Sequence, residues 1–332
     1  MRRVGPVLGL GLGLLLVATA CSSTEPDTAS LGNGPGRTVT TATATTVAGA
    51  GNIVVPAPTP GEGAVVTPSG VVVPVVSKAE GGWNVFTPCG RPATLTSGTF
   101  VPVATVVLDP GHGGSDPGAV SDVHRLKEST INLAVSQHAK ALLEAAGVTV
   151  LLTRTGDYDL NLTPRADIAK AVGARVFASI HHNAEPDGPW PQPGSETYYQ
   201  MASADSKRLS GLVYEEIVRA MSQFDVAWVA DTDAGAKYRQ GNRGDYYAML
   251  RQPAPVVSTL VELAFISNPA EAALLARPDV QKVEGEAVAR GIVRYLTTRD
   301  AGSGFTEPYA RPIPPPGTGG GTPSRCDDPA LS

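Results

Sequence analysis

Four side chains suited to metal binding or proton transfer stand where short apolar runs give way to polar sequence. The run at residues 105–108 leads through Asp109, Pro110 and Gly111 to His112; residues 175–180 lead to His181, His182 and Asn183; residues 256–260 lead to Glu262. Glu128 stands at the mouth of a helical pattern. Two imidazoles and one carboxylate would hold a zinc ion with an open position, leaving a second carboxylate as a base. Each residue also has an ordinary reading. His112 fits a Gly-rich turn, in which Gly113 and Gly114 keep bulk away from the imidazole and allow a ligand close to the backbone. Glu128 fits a helix-start carboxylate favoured by the helix dipole. Residues alternate across a strand, so only one of His181 and His182 faces the rim. Glu262 is the sharpest of the four, because a carboxylate inside Leu260, Val261, Leu263, Ala264 and Phe265 is costly unless it is paired or functional.

Such a group needs a sheet whose strand ends meet at one rim. The run at 105–108 is stopped by Asp-Pro-Gly, the signature of a buried strand and a turn. Residues 129–146 carry Ile131, Ala134, Val135, His138, Ala141, Leu142 and Ala145 at helical spacing, closed by Gly147. A strand at 148–152, a helix started by Thr163 and Pro164 and ending before Gly173, and a strand at 175–180 continue a β-α-β-α-β alternation. A strand at 197–200, a helix at 204–221, a buried strand at 256–264 and helices from Asn268 complete the pattern. This is the α/β class: a single mixed or parallel sheet with helices on both faces. Ligands of such sheets gather where strands end.

The chain has 332 residues, with 37 Gly and 29 Pro among them, too many to spread evenly through regular elements, so part of it is linker. Residues 1–20 carry Arg2, Arg3 and an apolar run from Val7 to Ala20, the layout of a secretory signal peptide. Residues 21–78, rich in Thr, Ala, Pro and Gly as in TATATT at 41–46 and PAPTP at 56–60, read as a disordered tether. An N-terminal extension with Cys89 spans 79–102, a catalytic domain 103–298, and a Pro/Gly-rich tail with Cys326 299–332. The charge of −5 becomes −7 without Arg2 and Arg3, so neither nucleic acid nor an anionic wall is held by general attraction. The chain is expected to be exported, to the periplasm or the outer face of the cytoplasmic membrane and wall, and to act as a monomer.

Over residues 103–296 the motifs resemble those of the zinc-dependent N-acetylmuramoyl-L-alanine amidases of the third amidase type. VLDPGHGGSDPG at 107–118 is similar to the family's first metal motif, KES at 127–129 to its second, SIHHNA at 179–184 to its third, and VELAFISN at 261–268 to its catalytic segment. The resemblance implies one zinc on His112, Glu128 and His181, Glu262 as catalytic carboxylate, and peptidoglycan or its muropeptide fragments as substrate. LTRTGD at 152–157, LTPR at 162–165 and AMLR at 248–251 are similar to secondary landmarks, read as scaffold, with Asn183 and Arg251 as candidate substrate contacts. Ala264 stands where the family has Gly and is expected to crowd the floor near Glu262. The segment at 225–247 reads as a substrate-side loop. ATAC at 18–21 resembles a lipoprotein processing site, which would place a lipid anchor on Cys21.

Cys21 leaves with the signal or carries lipid, so Cys89 and Cys326 remain and are expected to pair in an oxidising compartment. Closing so long a loop is worth roughly 4 to 5 kcal/mol in the chain-entropy model. Two other functions fit the ligand set: a zinc peptidase or deacetylase acting on another wall amide, and a wall-binding lipoprotein without turnover.

Overall fold

The computed structural model describes residues 61–184, 194–226, 234–307 and 325–332. The signal peptide, the lipid site at Cys21 and the tether up to residue 60 lie outside the described residues.

Two larger sheets lie among the described residues. The first is antiparallel and consists of β1 (Ala64–Val66), β2 (Val72–Ala79), β3 (Gly82–Phe86), β4 (Pro92–Leu95) and β5 (Thr99–Val101), in the order β4-β3-β2-β1-β5. The tether expectation therefore fails for residues 61–78, and the extension at 79–102 is part of the same sheet. The Val-rich stretch that read as low in apolar bulk is divided between two faces. Val65, Val71, Val73, Val75, Val85 and Leu95 pack together in one cluster, while Ala64 and Val72 pack with Ile168, Ala169 and Val172. Val71, Val72, Val73 and Val75 are all buried, on both faces, so no alternation marks them as a strand.

The second sheet contains β6 (Val106–Pro110), β9 (Val150–Leu152), β10 (Val176–Asn183), β11 (Glu196–Tyr199), β12 (Gly235–Lys237) and β15 (Val257–Phe265), in the order β12-β11-β15-β10-β6-β9. Strands β9, β6, β10 and β15 are mutually parallel, and β11 runs against β15. Two short hairpins, β7 (Val120–Ser121) with β8 (Leu126–Lys127) and β13 (Gln240–Gly241) with β14 (Gly244–Asp245), lie in the connections. The helices are α1 (Glu128–Ala145), α2 (Leu162–Ala171), α3 (Ala204–Met221), α4 (Ala248–Arg251), α5 (Pro269–Leu275) and α6 (Pro278–Thr297).

The expected mixed sheet with helices on both faces is present, with the antiparallel sheet added to it. Val106, Leu108, Ala178, Ile180, Val261 and Leu263 point to one face and are covered by α1, α3 and α6. Val107, Phe177 and Leu260 point to the other, under α2 and α4. Burial on both faces explains why the central strands read as continuous apolar runs. Helix α1 presents Ile131, Val135, Ala139 and Leu143 at four-residue spacing and stops at Gly147, whose φ is +81° and whose N–H bonds the Glu144 carbonyl. The first sheet docks on α2 through the Gly63 N–H, which donates to the Ala171 carbonyl at 2.8 Å. Ala264 is packed in the apolar cluster that α1 and α6 share.

Cys89 and Cys326 form the expected disulfide, across a sequence separation of 237. Around it Arg91 pairs with Asp328 at 2.6 Å, and the Cys89 N–H donates to the same carboxylate at 2.8 Å. One residue before Asp328, the Asp327 N–H donates to Asp159 at 2.9 Å, and the other oxygen of Asp159 accepts from the Ser115 N–H at 2.5 Å. The segment 325–328 is thus joined to the loop that carries His112.

Candidate metal centre

Strand β6 ends at Pro110, and the chain turns out of the sheet through Gly111, whose N–H bonds the Ile180 carbonyl at 2.9 Å. A Cβ at Gly111 would lie 2.2 Å from the His181 ring, so only glycine lets this turn pass under that imidazole. Gly118, at φ +67°, plays the matching part on the other side: a Cβ there would stand 2.4 Å from the Glu128 carboxylate and 2.8 Å from the His112 ring. Gly113 and Gly114 do not serve the imidazole as the sequence suggested. They give room instead to Arg154, Tyr158 and Asp159 on the far side of the loop.

The three candidate ligands converge. Ligand atoms of His112, Glu128 and His181 all lie within 4.8 Å of one another. His112 Nε2 is 3.1 Å from one Glu128 oxygen, and His181 Nδ1 is 3.0 Å from the other. The rings meet edge to face at 5.0 Å. His112 Nδ1 is held by Asp116 at 2.8 Å, which directs Nε2 inward. Glu128 opens α1 at its first residue and accepts from the Ala119 N–H at 2.9 Å and from Asn132 and the His182 N–H at 3.2 Å each. Burial disfavours the charged form of each group. For His112 the Glu128 and Asp116 carboxylates outweigh it and raise the pKa to about 10. In Glu128 the two imidazoles outweigh it and hold the carboxyl well below its ordinary range. For His181 burial prevails and lowers the pKa, which favours the neutral form that a metal requires. Two imidazole nitrogens and one carboxylate, with His112 and Glu128 oriented by further hydrogen bonds, suit a zinc site with an open position.

Below the loop lies a frame of buried charge. Asp109 is fully buried and accepts from Arg165 at 2.9 Å, Thr153 at 2.6 Å and Ser179 at 2.8 Å. Arg165 also donates to the carbonyls of Pro110 and His112, at 2.8 and 2.9 Å. Arg154 donates to those of Pro110, Gly111 and Ser129. The scaffold reading of the 152–157 and 162–165 stretches thus acquires a content: two guanidiniums hold the backbone of the metal loop. They also hold His112 at φ 62°, a left-handed conformation uncommon outside glycine.

Glu262 lies on β15 directly across from His181 on β10 and from Glu196 on β11. Residues opposite one another share a face, so the three side chains emerge together on the face that α2 and α4 cover. Glu196 is buried and accepts from Lys237 at 2.6 Å, the Tyr198 hydroxyl at 2.8 Å and Asn183 at 2.9 Å. Tyr247 is pushed up to about 12 by burial and by the nearby Glu262 and Glu196 charges. His182 faces the other way, 2.7 Å from Asn132 and 3.4 Å from Glu284.

Asn183 therefore reaches the group, but as a partner of Glu196. Arg251 stands on α4, donates to the carbonyls of Asp245 and Tyr246, and lines a cavity with Cys89 and Arg243. Sequence reasoning missed Glu196, Lys237 and Asp116. Glu196 carried no signal like that of Glu262: it opens a strand of Thr197, Tyr198 and Tyr199 flanked by Ser195 and Gln200, a setting in which a carboxylate costs nothing by sequence alone.

Residues 106–294 match the family model described as N-acetylmuramoyl-L-alanine amidase. The uncharacterized protein YqiI of Bacillus subtilis is 32% identical over 219 residues, 64% of this chain and 97% of that protein. The germination-specific N-acetylmuramoyl-L-alanine amidase of the same organism is 30% identical, over 58% of this chain and 80% of that one. Among solved structures, an N-acetylmuramoyl-L-alanine amidase from Clostridium difficile 630 superposes with a TM-score of 0.52 at 29% identity, covering 60% of this chain and 99% of its own. The CwlD amidase of Clostridioides difficile, solved with the GerS lipoprotein, gives 0.50 at 31%, covering 58% and 98%. The family match begins inside β6, so the antiparallel sheet and both cysteines fall outside it. From β6 to α6, sheet order, ligand convergence and family match describe one unit, and the chain belongs to the N-acetylmuramoyl-L-alanine amidase family.

Proposed function

We propose that this protein hydrolyses the amide between the lactyl group of N-acetylmuramic acid and L-alanine in peptidoglycan, with one zinc held by His112, Glu128 and His181. The observation that carries this reading is the convergence of those three ligand atoms within 4.8 Å, with Glu262 facing His181 across adjacent strands. When bound, zinc supplies Lewis-acid polarisation of the scissile carbonyl and of the attacking water. Glu262 accepts the proton of that water on its carboxylate and returns it to the departing L-alanine nitrogen, acting first as base and then as acid. Asp116 keeps His112 Nε2 directed inward, and Arg165 and Arg154 fix the loop on which His112 stands. Glu196, compensated by Lys237, forms the next wall of the same face.

The reaction takes place outside the cytoplasm, after export on residues 1–20 and with or without lipid on Cys21. Soluble or local muropeptides suit a chain of net charge −7 after processing. No helix among the described residues is long and apolar enough to cross a membrane. Mass spectrometry of muramyl dipeptide treated with the purified protein, with and without chelator, tests the reading. Free muramic sugar and free dipeptide should appear and vanish with chelator. Release of acetate, or scission within the peptide, would replace the proposal with a deacetylase or a peptidase, and an unchanged substrate would replace it with a binding protein.

A further inference from the structure

A cavity of about 540 Å³ opens between the turn after β3, the start of α2 and the segment around α4. Its walls come from three parts of the chain: Cys89 and Gly90 from the antiparallel sheet, Asn161 to Pro164 ahead of and within the first turn of α2, and Arg243, Arg251 and Gln252 from the far side. Two arginines therefore line one cavity, Arg251 with one guanidinium nitrogen donating to the Asp245 and Tyr246 carbonyls. They are close enough that Arg243, after burial, lowers the pKa of Arg251. The carboxylate near them, Asp245, already accepts from the Met201 N–H at 2.8 Å. Like charges are brought together around a space at a cost, which an anion in that space offsets.

The cavity lies beside the candidate centre. Arg165, in the first turn of α2, donates to the His112 carbonyl at 2.9 Å, and Tyr247, immediately before α4, stands close to Glu262 and Glu196. It also lies on the face of the sheet from which His181, Glu262 and Glu196 emerge, the face covered by α2 and α4. A substrate cleaved at that centre has a peptide on one side of the scissile bond, and that peptide ends in carboxylates.

We infer that Arg243 and Arg251 form a subsite for a carboxylate of the peptide portion of the substrate, closed on one side by the Cys89 turn. This rests on the amidase reading of the neighbouring centre and adds what that reading lacks, a determinant of which peptides are taken. Arg243 and Arg251 lie within the matched family region, whereas Cys89 and Gly90, which close the cavity on one side, precede it.

Two measurements test it. The first compares KM for a muramoyl-L-alanyl peptide ending in a free carboxylate with KM for its C-terminal amide. A charge-assisted contact is worth enough to give the acid an advantage of about tenfold or more. Arg251→Met and, separately, the exposed Arg243→Met should each reduce that ratio toward one. The second titrates the free acid peptide, then its amide, into metal-free protein by calorimetry, which reads the subsite whether or not the centre turns over. Tighter binding of the acid, lost in either variant, supports the subsite. Equal binding of acid and amide, or variants that bind as wild type does, would overturn it. If the acid binds as inferred and no muramoyl peptide is cleaved, the amidase reading fails and the anion subsite stands.

Discussion

His181 and Glu262 face each other across two parallel strands, so the candidate ligand and the candidate proton carrier project from one face of the sheet at the spacing of adjacent strands. Glu262 is not among the three converging ligand groups, which separates the two roles in space. Glu262→Gln should keep stoichiometric zinc and lose about 10²- to 10⁴-fold in turnover, the usual worth of a positioned acid/base. His112→Ala should lose the metal. Metal analysis beside muropeptide digestion checks both, and a Glu262→Gln protein of wild-type rate would remove Glu262 from the mechanism.

Asp116 reaches the centre through His112 Nδ1 and also accepts from the Gly118 N–H at 3.1 Å. Its replacement by Ala should weaken zinc affinity by about 10- to 100-fold, as for other partners of metal-bound imidazoles, while the fold is kept. Zinc competition against a chromophoric chelator gives the affinity, and circular dichroism gives the fold.

Gly111→Ala places a methyl group 2.2 Å from the His181 ring, whereas Gly147→Ala meets nothing within 4 Å and suffers only the strain of its positive φ. Gly147→Ala should therefore cost about 1 kcal/mol and leave zinc binding alone. Gly111→Ala should displace an imidazole and lose zinc binding. Equal zinc affinities in the two variants would mean that the turn yields without moving His181.

Asp109 gives a pH dependence with a definite sign. Burial raises its pKa, but Arg165, Thr153 and Ser179 together lower it below the ordinary 3.8. The folded state therefore binds this proton less readily than the unfolded chain. The stability it contributes is complete above about pH 4 and is lost as the pH falls below that value. Asp109→Asn should flatten the acid limb of stability against pH. Because it leaves Arg165 buried without its anion, it should also cost about 3 to 5 kcal/mol at neutral pH, read by denaturant unfolding.

The catalytic half was legible because its signals are local. A strand buried on both faces is an apolar run wherever it lies, and α1 and α3 carry helical spacing along their whole lengths. The carboxylate in LVELAF announced Glu262 on cost alone. The first sheet was not legible, because its valines are too evenly mixed with Gly, Pro and Thr to show a period, and their burial depends on partners far along the chain. The roles of Gly111 and Gly118 were hidden for the same reason: what each glycine makes room for comes from another strand or helix. Arg251 was assigned to the substrate from motif likeness, and its cavity could be found only in three dimensions.

The disulfide should contribute about 2 to 5 kcal/mol, so the double replacement of Cys89 and Cys326 by Ser should lower the unfolding midpoint. Because Asp327 reaches Ser115 through Asp159, the same variant should also speed hydrogen exchange at the Gly114 and Ser115 amides, which mass spectrometry resolves.

That chain of contacts also sets an order of events. The loop bearing His112 is closed by residues more than 200 positions later, and by a sulfur bond that forms only in an oxidising compartment. A chain emerging from its amino end has all four chemical groups in hand once β15 is out, yet the contacts of segment 325–328 with its metal loop form only when that segment arrives. Completion of the loop that bears His112 thereby depends on the last described segment of the chain and on an oxidising environment for its sulfur bond.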